Sequence, residues 1–326
     1  MKIGILFPGY GSQHVGMGKE LYDDSRTIQE YFEEASQCLD FNFIKLCFAS
    51  SDAEISQPMQ SYLTLFLIQS SIAALLKKGG VEPSMMAGYG IGQFAAIHTA
   101  KGFTFPDGLY ALKKYAQFYE EMLEKFHGLV IKVHGLTQDE LEAEIKKIAG
   151  ADSIGIAAHN LEDEFVVSGK VEEVDKLKEA LSANKKIKVS EVDTAFGFHS
   201  TLMNPVVEQL SLYLEKIDIK DLELPISNNF NAEVITKAED VKKAIISQIF
   251  SPLLWKESIK NFADVDVLIQ VGPGKEFEEL VRTTYPDKKF VNLSLREHAE
   301  DLKKLLPELE LDLNLQVLPE EGGDNE

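Results

Sequence analysis

Three glycines at alternating positions, Gly88, Gly90 and Gly92, stand between a short apolar segment and a longer apolar run. The segment SMMAGYG at 84–90 predicts a strand that runs into a turn, and QFAAIHTAKG at 93–102 predicts a helix. The frame G-x-x-x-G matches a nucleophile elbow, in which a strand turns sharply into a helix with a serine at the tip. The tip residue here is Gly90, so the sequence predicts the turn without its hydroxyl group.

On both sides of this turn, short apolar segments typical of strands alternate with segments that have helical periodicity. KIGILF at 2–7 predicts a buried strand, and the stretches at 61–79 and 106–125 predict helices. DVDVLIQVGPG at 264–274 predicts a further strand that ends in a Gly-Pro-Gly turn. This alternation indicates an α/β fold with a mainly parallel, helix-covered sheet. Ligands of such sheets bind at the carboxyl ends of the strands.

The stretch 127–195 has a different pattern and predicts a separate small α+β unit. GLVIKVHGL, EFVVSGK and KKIKVSEVD predict strands, and TQDELEAEIKKIAG and VEEVDKLKEALSAN predict helices between them. Thr137 and Glu140 have the spacing of a capping box at the first of these helices. The order β-α-β-α-β therefore predicts a ferredoxin-like insertion.

These patterns divide the chain into a large subdomain formed by 1–126 and 196–308, the insertion 127–195, and an acidic tail at 309–326. Leucine alternates with polar residues from 309 to 315, which predicts a candidate edge strand. The remaining acidic, glycine-containing end is expected to be disordered.

Composition excludes several classes of partner and site. The formal charge of −20 argues against nucleic acid and anionic membranes as partners, because both require concentrated lysine and arginine. The apolar runs predict no membrane span, and the only two cysteines, Cys38 and Cys47, suggest neither a metal site nor a disulfide framework. We therefore expect a cytoplasmic protein without a cofactor or a metal. The sequence does not distinguish a monomer from an oligomer.

Six segments in order resemble the motifs of the malonyl-CoA:acyl-carrier-protein transacylase family, across roughly 1–295. The matched motifs are FPGQGSQ, GHSLGEyaA, vviSG, FHSxxM, QLxxPVxWxxSI and EvGPGxvLxgL. The corresponding segments are FPGYGSQHVGMGKEL (7–21), GYGIGQFAA (88–96), FVVSG (165–169), FHSTLM (198–203), SQIFSPLLWKESI (247–259) and QVGPGKEFEEL (270–280). The resemblance implies a hydrolase-like core that carries a ferredoxin-like insertion, and so agrees with the pattern of predicted elements.

The resemblance also implies a two-step chemistry, in which a serine takes an acyl group from coenzyme A and passes it to the thiol of a carrier protein. Such chemistry requires a nucleophile beside a base and backbone N–H groups aimed at the developing oxyanion. The family's residues fall on this sequence as follows: the nucleophilic serine on Gly90, the histidine before it on Tyr89, the oxyanion-loop glutamine on Tyr10, the carboxylate-binding arginine on Tyr115, the catalytic histidine on His199, and the second glutamine on Gln248. The N–H of Ile91 is expected to point into the pocket.

Two hypotheses follow from this set of matches and losses. The favoured one is a degenerate member of fatty-acid or polyketide metabolism that lacks acyl transfer and acts as a binding or regulatory partner of acyl-CoA or of acyl carrier protein. The alternative is an active acyltransferase or thioesterase that uses His199 with a different acyl group. Because a carboxylated acyl group requires a cation, the loss of the arginine at Tyr115 argues against malonyl in particular.

For several other residues we favour a structural role over a catalytic or binding role. Ser12 and Ser200 could be substitute nucleophiles, but a structural role is favoured for both. We also favour structural roles for the two cysteines and for GPGK at 272–275, which is not a complete phosphate-binding motif. Docking of an acidic carrier protein would require a local basic patch. The candidates for such a patch are Lys113, Lys114, Lys185, Lys186, Lys188, Lys256 and Lys260.

Overall fold

The computed structural model describes residues 1–148, 154–192 and 201–313. Ten strands occur in this part of the chain: β1 (Ile3–Phe7), β2 (Met85–Gly88), β3 (Gly128–His134), β4 (Ile154–His159), β5 (Glu164–Lys170), β6 (Lys188–Glu191), β7 (Ile226–Ser227), β8 (Val234–Ile235), β9 (Val267–Val271) and β10 (Lys289–Leu293).

Fourteen α-helices occur in the same described ranges. They are α1 (Lys19–Asp24), α2 (Arg26–Cys38), α3 (Phe43–Phe48), α4 (Asp52–Ile55), α5 (Pro58–Lys78), α6 (Gly92–Thr99), α7 (Phe105–Leu123), α8 (Gln138–Ile148), α9 (Val171–Ser182), α10 (Asn204–Leu214), α11 (Ala238–Phe250), α12 (Trp255–Lys260), α13 (Glu276–Thr284) and α14 (Arg296–Leu305).

The large subdomain is built on a six-stranded sheet in the order β10-β9-β1-β2-β7-β8. All neighbouring pairs are parallel except β7 with β8. All five residues of β1 are buried, as a continuous apolar run in the middle of a parallel sheet requires. The predicted α/β fold with a mainly parallel sheet is therefore confirmed. Because β1, β2 and β9 are neighbours, the loops after these strands meet at one edge of the sheet.

Helix α5 is the central helix of the large subdomain. By length and composition alone it could cross a membrane, and 83% of its most apolar stretch is buried inside the protein. A core helix that is covered on all sides by protein passes the same test, because it is apolar all round. Pro58 lies in its first turn, and Gly79 follows its last residue as the cap.

Helix α7 carries a buried stripe that faces α5. The side chain of Thr104 caps its first turn by accepting a hydrogen bond from the N–H of Asp107 at 3.2 Å. Leu112, Tyr115 and Tyr119 are all buried and recur at helical spacing on one face of α7. This spacing directs both tyrosines towards the middle of the molecule.

The small subdomain has the order β3-α8-β4-β5-α9-β6, with an antiparallel sheet β4-β5-β3-β6. This is the ferredoxin-like arrangement, so the predicted insertion is confirmed. Its four strands are one more than predicted, because β4 (IGIAAH) lacks the bulky alternation that marks a strand. The capping box is present, since Glu140 Oε2 accepts from Thr137 N at 2.8 Å and Thr137 Oγ1 accepts from Glu140 N at 3.4 Å.

The two subdomains meet through the edge strand β4. Ala158 pairs with Leu253 of the large subdomain, and His159 N donates to Leu253 O at 2.8 Å. The side chain of Lys256 lies 2.9 Å from Glu162 of the small subdomain. The exact division at 126/127 and 195/196 remains a prediction, and residues 193–200 lie outside the described ranges.

The segment 309–313 forms no strand, so the predicted edge strand is wrong for these residues, and 314–326 lie outside the described ranges. Leu309 and Leu311 are buried, and Glu310 N donates to Gly79 O at 3.2 Å. Asp312 Oδ2 accepts from Thr27 Oγ1 at 2.9 Å and from Lys78 Nζ at 3.1 Å. The segment lies against the end of α5 because its leucines find apolar contacts there rather than a strand partner.

Buried His98, on the helix that follows the elbow, should make the protein sensitive to acid. Burial above all lowers its pKa from 6.5 to about 4. Because the unfolded chain binds the proton more readily, the stabilisation is fully present above pH 6.5 and is lost as the pH falls towards 4. We expect this residue to cost about 2 kcal/mol of unfolding free energy between pH 7.5 and pH 5.

Urea denaturation at several pH values would measure this effect. The variant His98→Gln should have a shallower pH dependence than the wild type over this range, because the acidic groups contribute equally to both proteins. Equal slopes for the two proteins would contradict the prediction.

Candidate active site

A cleft lies between the two subdomains at the carboxyl ends of β1 and β2. The large subdomain contributes the loop after β1, the elbow, α7 and α11, and the small subdomain contributes its sheet. The described residues that line it are Tyr10, Tyr89, Gly90, Ile91, Tyr115, Val130, Ala157, Ala158, Val166, Ser168, Val192 and Gln248. Six of the seven predicted site residues are thus brought together. The seventh, His199, lies outside the described residues.

The elbow is a sharp turn from β2 into α6. Gly90 at its tip has φ +54°, in the left-handed region that glycine tolerates and other residues adopt only with strain. A Cβ on Gly88 would lie 2.1 Å from the carbonyl carbon of Gly92, and one on Gly92 would lie 2.3 Å from Phe7 O. The two flanking glycines therefore allow the strand, the turn and the helix to pack in contact.

The loop after β1 lies directly beside the elbow. Tyr89 N donates to Phe7 O at 2.9 Å, and a Cβ on Gly9 would lie 2.4 Å from Tyr89 O. This contact places Tyr10 and Ile91 on the same side of the cleft. Ile91 is the N-cap residue of α6, where backbone N–H groups have no acceptor within the helix. Such a helix start can stabilise negative charge.

A buried amide cluster lies beneath the elbow. Asn229 Nδ2 donates to Gln248 Oε1 at 2.8 Å and to Gln93 Oε1 at 2.5 Å, and it lies 3.5 Å from Gly90 O. All three amide side chains are buried. The cluster fixes Gln248 against the elbow, and buried polar groups are normally paired in this way.

Three tyrosines form one wall of the cleft. Tyr10 Oη donates to Ser56 O at 2.7 Å, and Tyr89 Oη donates to Asn160 Oδ1 of the small subdomain at 3.0 Å. Tyr115 is only 2% exposed, and burial raises the pKa of its hydroxyl well above the usual range. The Tyr115 phenol is therefore neutral at ordinary pH, and no described residue of this wall is a lysine, an arginine or a carboxylate.

An aromatic block fills the space behind this wall. The ring of Tyr62 lies 5.2 Å from Tyr115 and 5.8 Å from Tyr10, measured between ring centroids, and Tyr119 stacks on Tyr62 at 6.4 Å. The centroid of the Phe94 ring lies 6.5 Å from that of Tyr115. Packing on this scale fixes Tyr115 in place.

None of the three arginines lies in the cleft. Arg26 pairs with Glu33, Arg282 with Glu278, and Arg296 with Asp24, all on the surface. Every lysine and arginine of the chain belongs to the described ranges, because 149–153, 193–200 and 314–326 contain neither residue type. None of them lines the cleft, so no arginine or lysine side chain is available beside Tyr115 to pair with a carboxylate.

Four residues that shape the site were not identified from the sequence. Tyr62 and Tyr119 support the wall, Ser168 lines the cleft from β5, and Asn229 organises the amide cluster. The i, i+4 spacing of Tyr115 and Tyr119 was the available signal for the aromatic block. Ser168 lies within FVVSG, which was used only as a family motif.

The alternative candidates have structural contacts. Ser12 Oγ donates to Gly9 O at 2.7 Å, and burial raises the pKa of the Cys47 thiol. In the GPGK turn the carbonyl oxygens face inward, where Gln270 Nε2 donates to Gly274 O at 2.8 Å and to two neighbouring carbonyls. Ser200 lies outside the described residues. The contacts of Ser12, Cys47 and the GPGK turn are therefore those expected for structural roles.

The candidate docking lysines are not equally available. Lys256 is ion-paired with Glu162 and also lies 3.4 Å from Glu257, so its charge is largely balanced. Lys114 Nζ donates to Gln117, and Lys113 lies over the ring of Phe41. The exposed lysines of the set are Lys185, Lys186, Lys188 and Lys260.

Comparison with known proteins places this architecture in a family. The model of the acyl transferase domain family matches residues 5–292. The malonyl CoA-acyl carrier protein transacylase of Bacillus subtilis (strain 168) is 30% identical over 302 residues, which cover 92% of this chain and 95% of the relative.

Solved structures agree with this assignment. The malonyl CoA-acyl carrier protein transacylase of Coxiella burnetii superposes with a TM-score of 0.88 at 25% identity, over 93% of this chain and 97% of the other. A malonyl-transacylase solved with its type II PKS acyl-carrier protein has the same fold, with a TM-score of 0.89 at 22% identity over 94% of this chain and all of the other. The chain is thus homologous to the malonyl-CoA:acyl-carrier-protein transacylases and belongs to the acyl transferase domain family.

Proposed function

We propose that this protein binds acyl-CoA or acyl carrier protein without serine-dependent acyl transfer, and that it acts as a binding or regulatory partner in fatty-acid or polyketide metabolism. The observation that carries the proposal is Gly90, which occupies the tip of the elbow, has φ +54° and lines the cleft. Glycine has no atom that can form an ester. Losing the nucleophile of a catalytic set costs about as much as losing the whole set, on the order of 10⁶-fold in a serine protease.

The intact surroundings of Gly90 support a retained binding role. The loops, the amide cluster and the start of α6 still form a cleft between two subdomains. Among the relatives, one protein was solved in complex with its acyl-carrier protein, which supports a carrier partner by analogy. We propose a cytoplasmic location, as expected for a partner of this metabolism.

A direct test is to incubate the protein with acetyl-, propionyl-, butyryl- and malonyl-CoA, and to measure intact mass together with release of the free thiol. We expect no covalent adduct and thiol release at the level of a protein-free control. Such a result follows from the missing hydroxyl at Gly90.

Either of two results would contradict the proposal. One is a stable acyl adduct, whose position would be mapped with Ser12→Ala and Ser200→Ala as matched variants. The other is thiol release that His199→Ala abolishes, which would establish the alternative of an active thioesterase or acyltransferase that uses this histidine as its base.

A further inference from the structure

The cleft has the character of a small apolar chamber. Its volume is about 120 Å³. For comparison, an engineered apolar cavity of about 150 Å³ in another protein takes up benzene. The chamber is therefore of the size that holds a few carbon atoms rather than a long acyl chain.

Both faces of the chamber are formed mainly by aromatic or aliphatic side chains. On one side stand the phenol rings of Tyr10 and Tyr115, and on the other stand Val130, Val166 and Val192 of the small subdomain. No described residue of the lining is charged. The polar side chains of this lining, such as Ser168 and Gln248, supply no cation, so burying a carboxylate here would still cost much of its hydration energy.

The wall that excludes charge is held in place by its packing. Tyr115 is 2% exposed and packs near the rings of Tyr62 and Phe94, and Tyr119 stacks on Tyr62. Burial raises the pKa values of Tyr62 and Tyr119 as well. Tyr115 therefore cannot swing aside to admit solvent or a lysine without disrupting this block.

We propose that this cleft binds short, uncharged acyl groups of thioesters and rejects acyl groups that end in a carboxylate, with Tyr115 as the specificity-determining residue. The inference rests on the proposed function only in taking the cleft as the acyl site. The shared ligand chemistry is an acyl thioester of two to about four carbons, carried either by coenzyme A or by a carrier protein.

Matched ligand pairs test this selectivity without any mutation. Propionyl- and malonyl-CoA have the same number of acyl carbons, as do butyryl- and succinyl-CoA, and each pair differs by a terminal methyl group against a carboxylate. Repulsion of the shared coenzyme A part by a protein of charge −20 cancels in each ratio, and titration at high ionic strength screens the long-range repulsion of the additional carboxylate. Isothermal titration should show the neutral member binding at least about tenfold more tightly.

Two variants assign the selectivity to Tyr115. Tyr115→Arg should reduce or invert the ratio, because its guanidinium can pair with the carboxylate. Tyr110→Arg is the matched control, since Tyr110 lies on the same helix but is 41% exposed and outside the cleft lining. It adds the same charge and should leave the ratio unchanged. If Tyr115→Arg does not fold, the wild-type ratios still decide the proposal.

A wild-type protein that binds malonyl- or succinyl-CoA as tightly as the neutral partner would overturn the proposal. So would acyl-CoA affinities that do not exceed that of free coenzyme A, because the chamber would then not hold an acyl group. Repeating the titrations with the same acyl groups on a carrier protein distinguishes the two sources. Binding ratios are independent of covalent adducts and turnover, so this inference and the proposed function can fail separately.

Discussion

Replacing Gly92 with alanine is expected to lower the free energy of unfolding by about 4 kcal/mol or more, or to prevent folding altogether. The added Cβ would lie 2.3 Å from Phe7 O and 2.5 Å from Pro8 O. Both atoms belong to the backbone at the end of β1, which is paired on both sides in the sheet. The clash therefore cannot be relieved by turning a side chain.

Two further alanine variants form a graded control series. Gly155→Ala, in β4, places its Cβ where no heavy atom lies within 4 Å, and should be neutral or stabilising by about 0.5–1 kcal/mol. Gly90→Ala should cost about 1–2 kcal/mol because of its left-handed φ. Chemical denaturation measures all three. A Gly92→Ala protein within about 1 kcal/mol of the wild type would show that the elbow is not the rigid contact described here.

This series also bears on why the turn forms with a glycine at its tip. Gly88 and Gly92 are required because backbone atoms approach within 2.3 Å of where their Cβ atoms would be. The packing of β1, β2 and α6 therefore constrains these two positions whatever the chemistry at the tip. At Gly90 the constraint is the backbone conformation, since φ +54° is strained for other residues and glycine adopts it readily.

The parts of the fold that sequence reasoning predicted are those with strong local signals. Helix α5 is long and apolar, and the glycine frame marks the elbow, so both were predicted near their observed positions. Strand β4 was missed because glycine and alanine carry little pattern. The segment 309–313 alternates like a strand, yet it has no strand partner and packs its leucines on α5 instead.

The candidate site was predicted through the family resemblance rather than from local physics. The resemblance brought Tyr10, Gly90, Tyr115 and Gln248 to one place, and the cleft contains all four. It did not supply what lies behind them. The contact of Asn229 with Gly90 joins residues 139 positions apart, and such side-chain packing between distant elements has no signature in a single sequence.

Restoring the hydroxyl with Gly90→Ser should allow an acyl-enzyme to form with propionyl-CoA, while malonyl loading stays poor. The serine would take the tip of the elbow beside the N–H of Ile91, and the loss of one catalytic member costs orders of magnitude in rate. We therefore expect loading with propionyl-CoA to rise at least about 10³-fold above the background signal of the wild type. Gly90→Ala is the matched control, because it has a Cβ and the same backbone strain but no nucleophile.

Adding Tyr115→Arg to Gly90→Ser should raise malonyl loading by about 10- to 100-fold over the single variant, because a charge-assisted hydrogen bond contributes about 1.5–3 kcal/mol. The double variant should also be less stable by on the order of 3 kcal/mol, since it buries a cation against Tyr62 and Phe94. Malonyl-CoA should recover part of this loss, which a thermal shift would detect.

Intact mass and quenched-flow loading measure these effects. Robust malonyl loading by Gly90→Ser alone would refute the role given to Tyr115. Failure of Gly90→Ser to form an ester with any acyl group, in a folded protein, would mean that the hydroxyl is not the only missing part. The base or the oxyanion site would then be incomplete as well. Tyr10, which the family resemblance aligns with the oxyanion-loop glutamine, would be the next residue to change, as Tyr10→Gln.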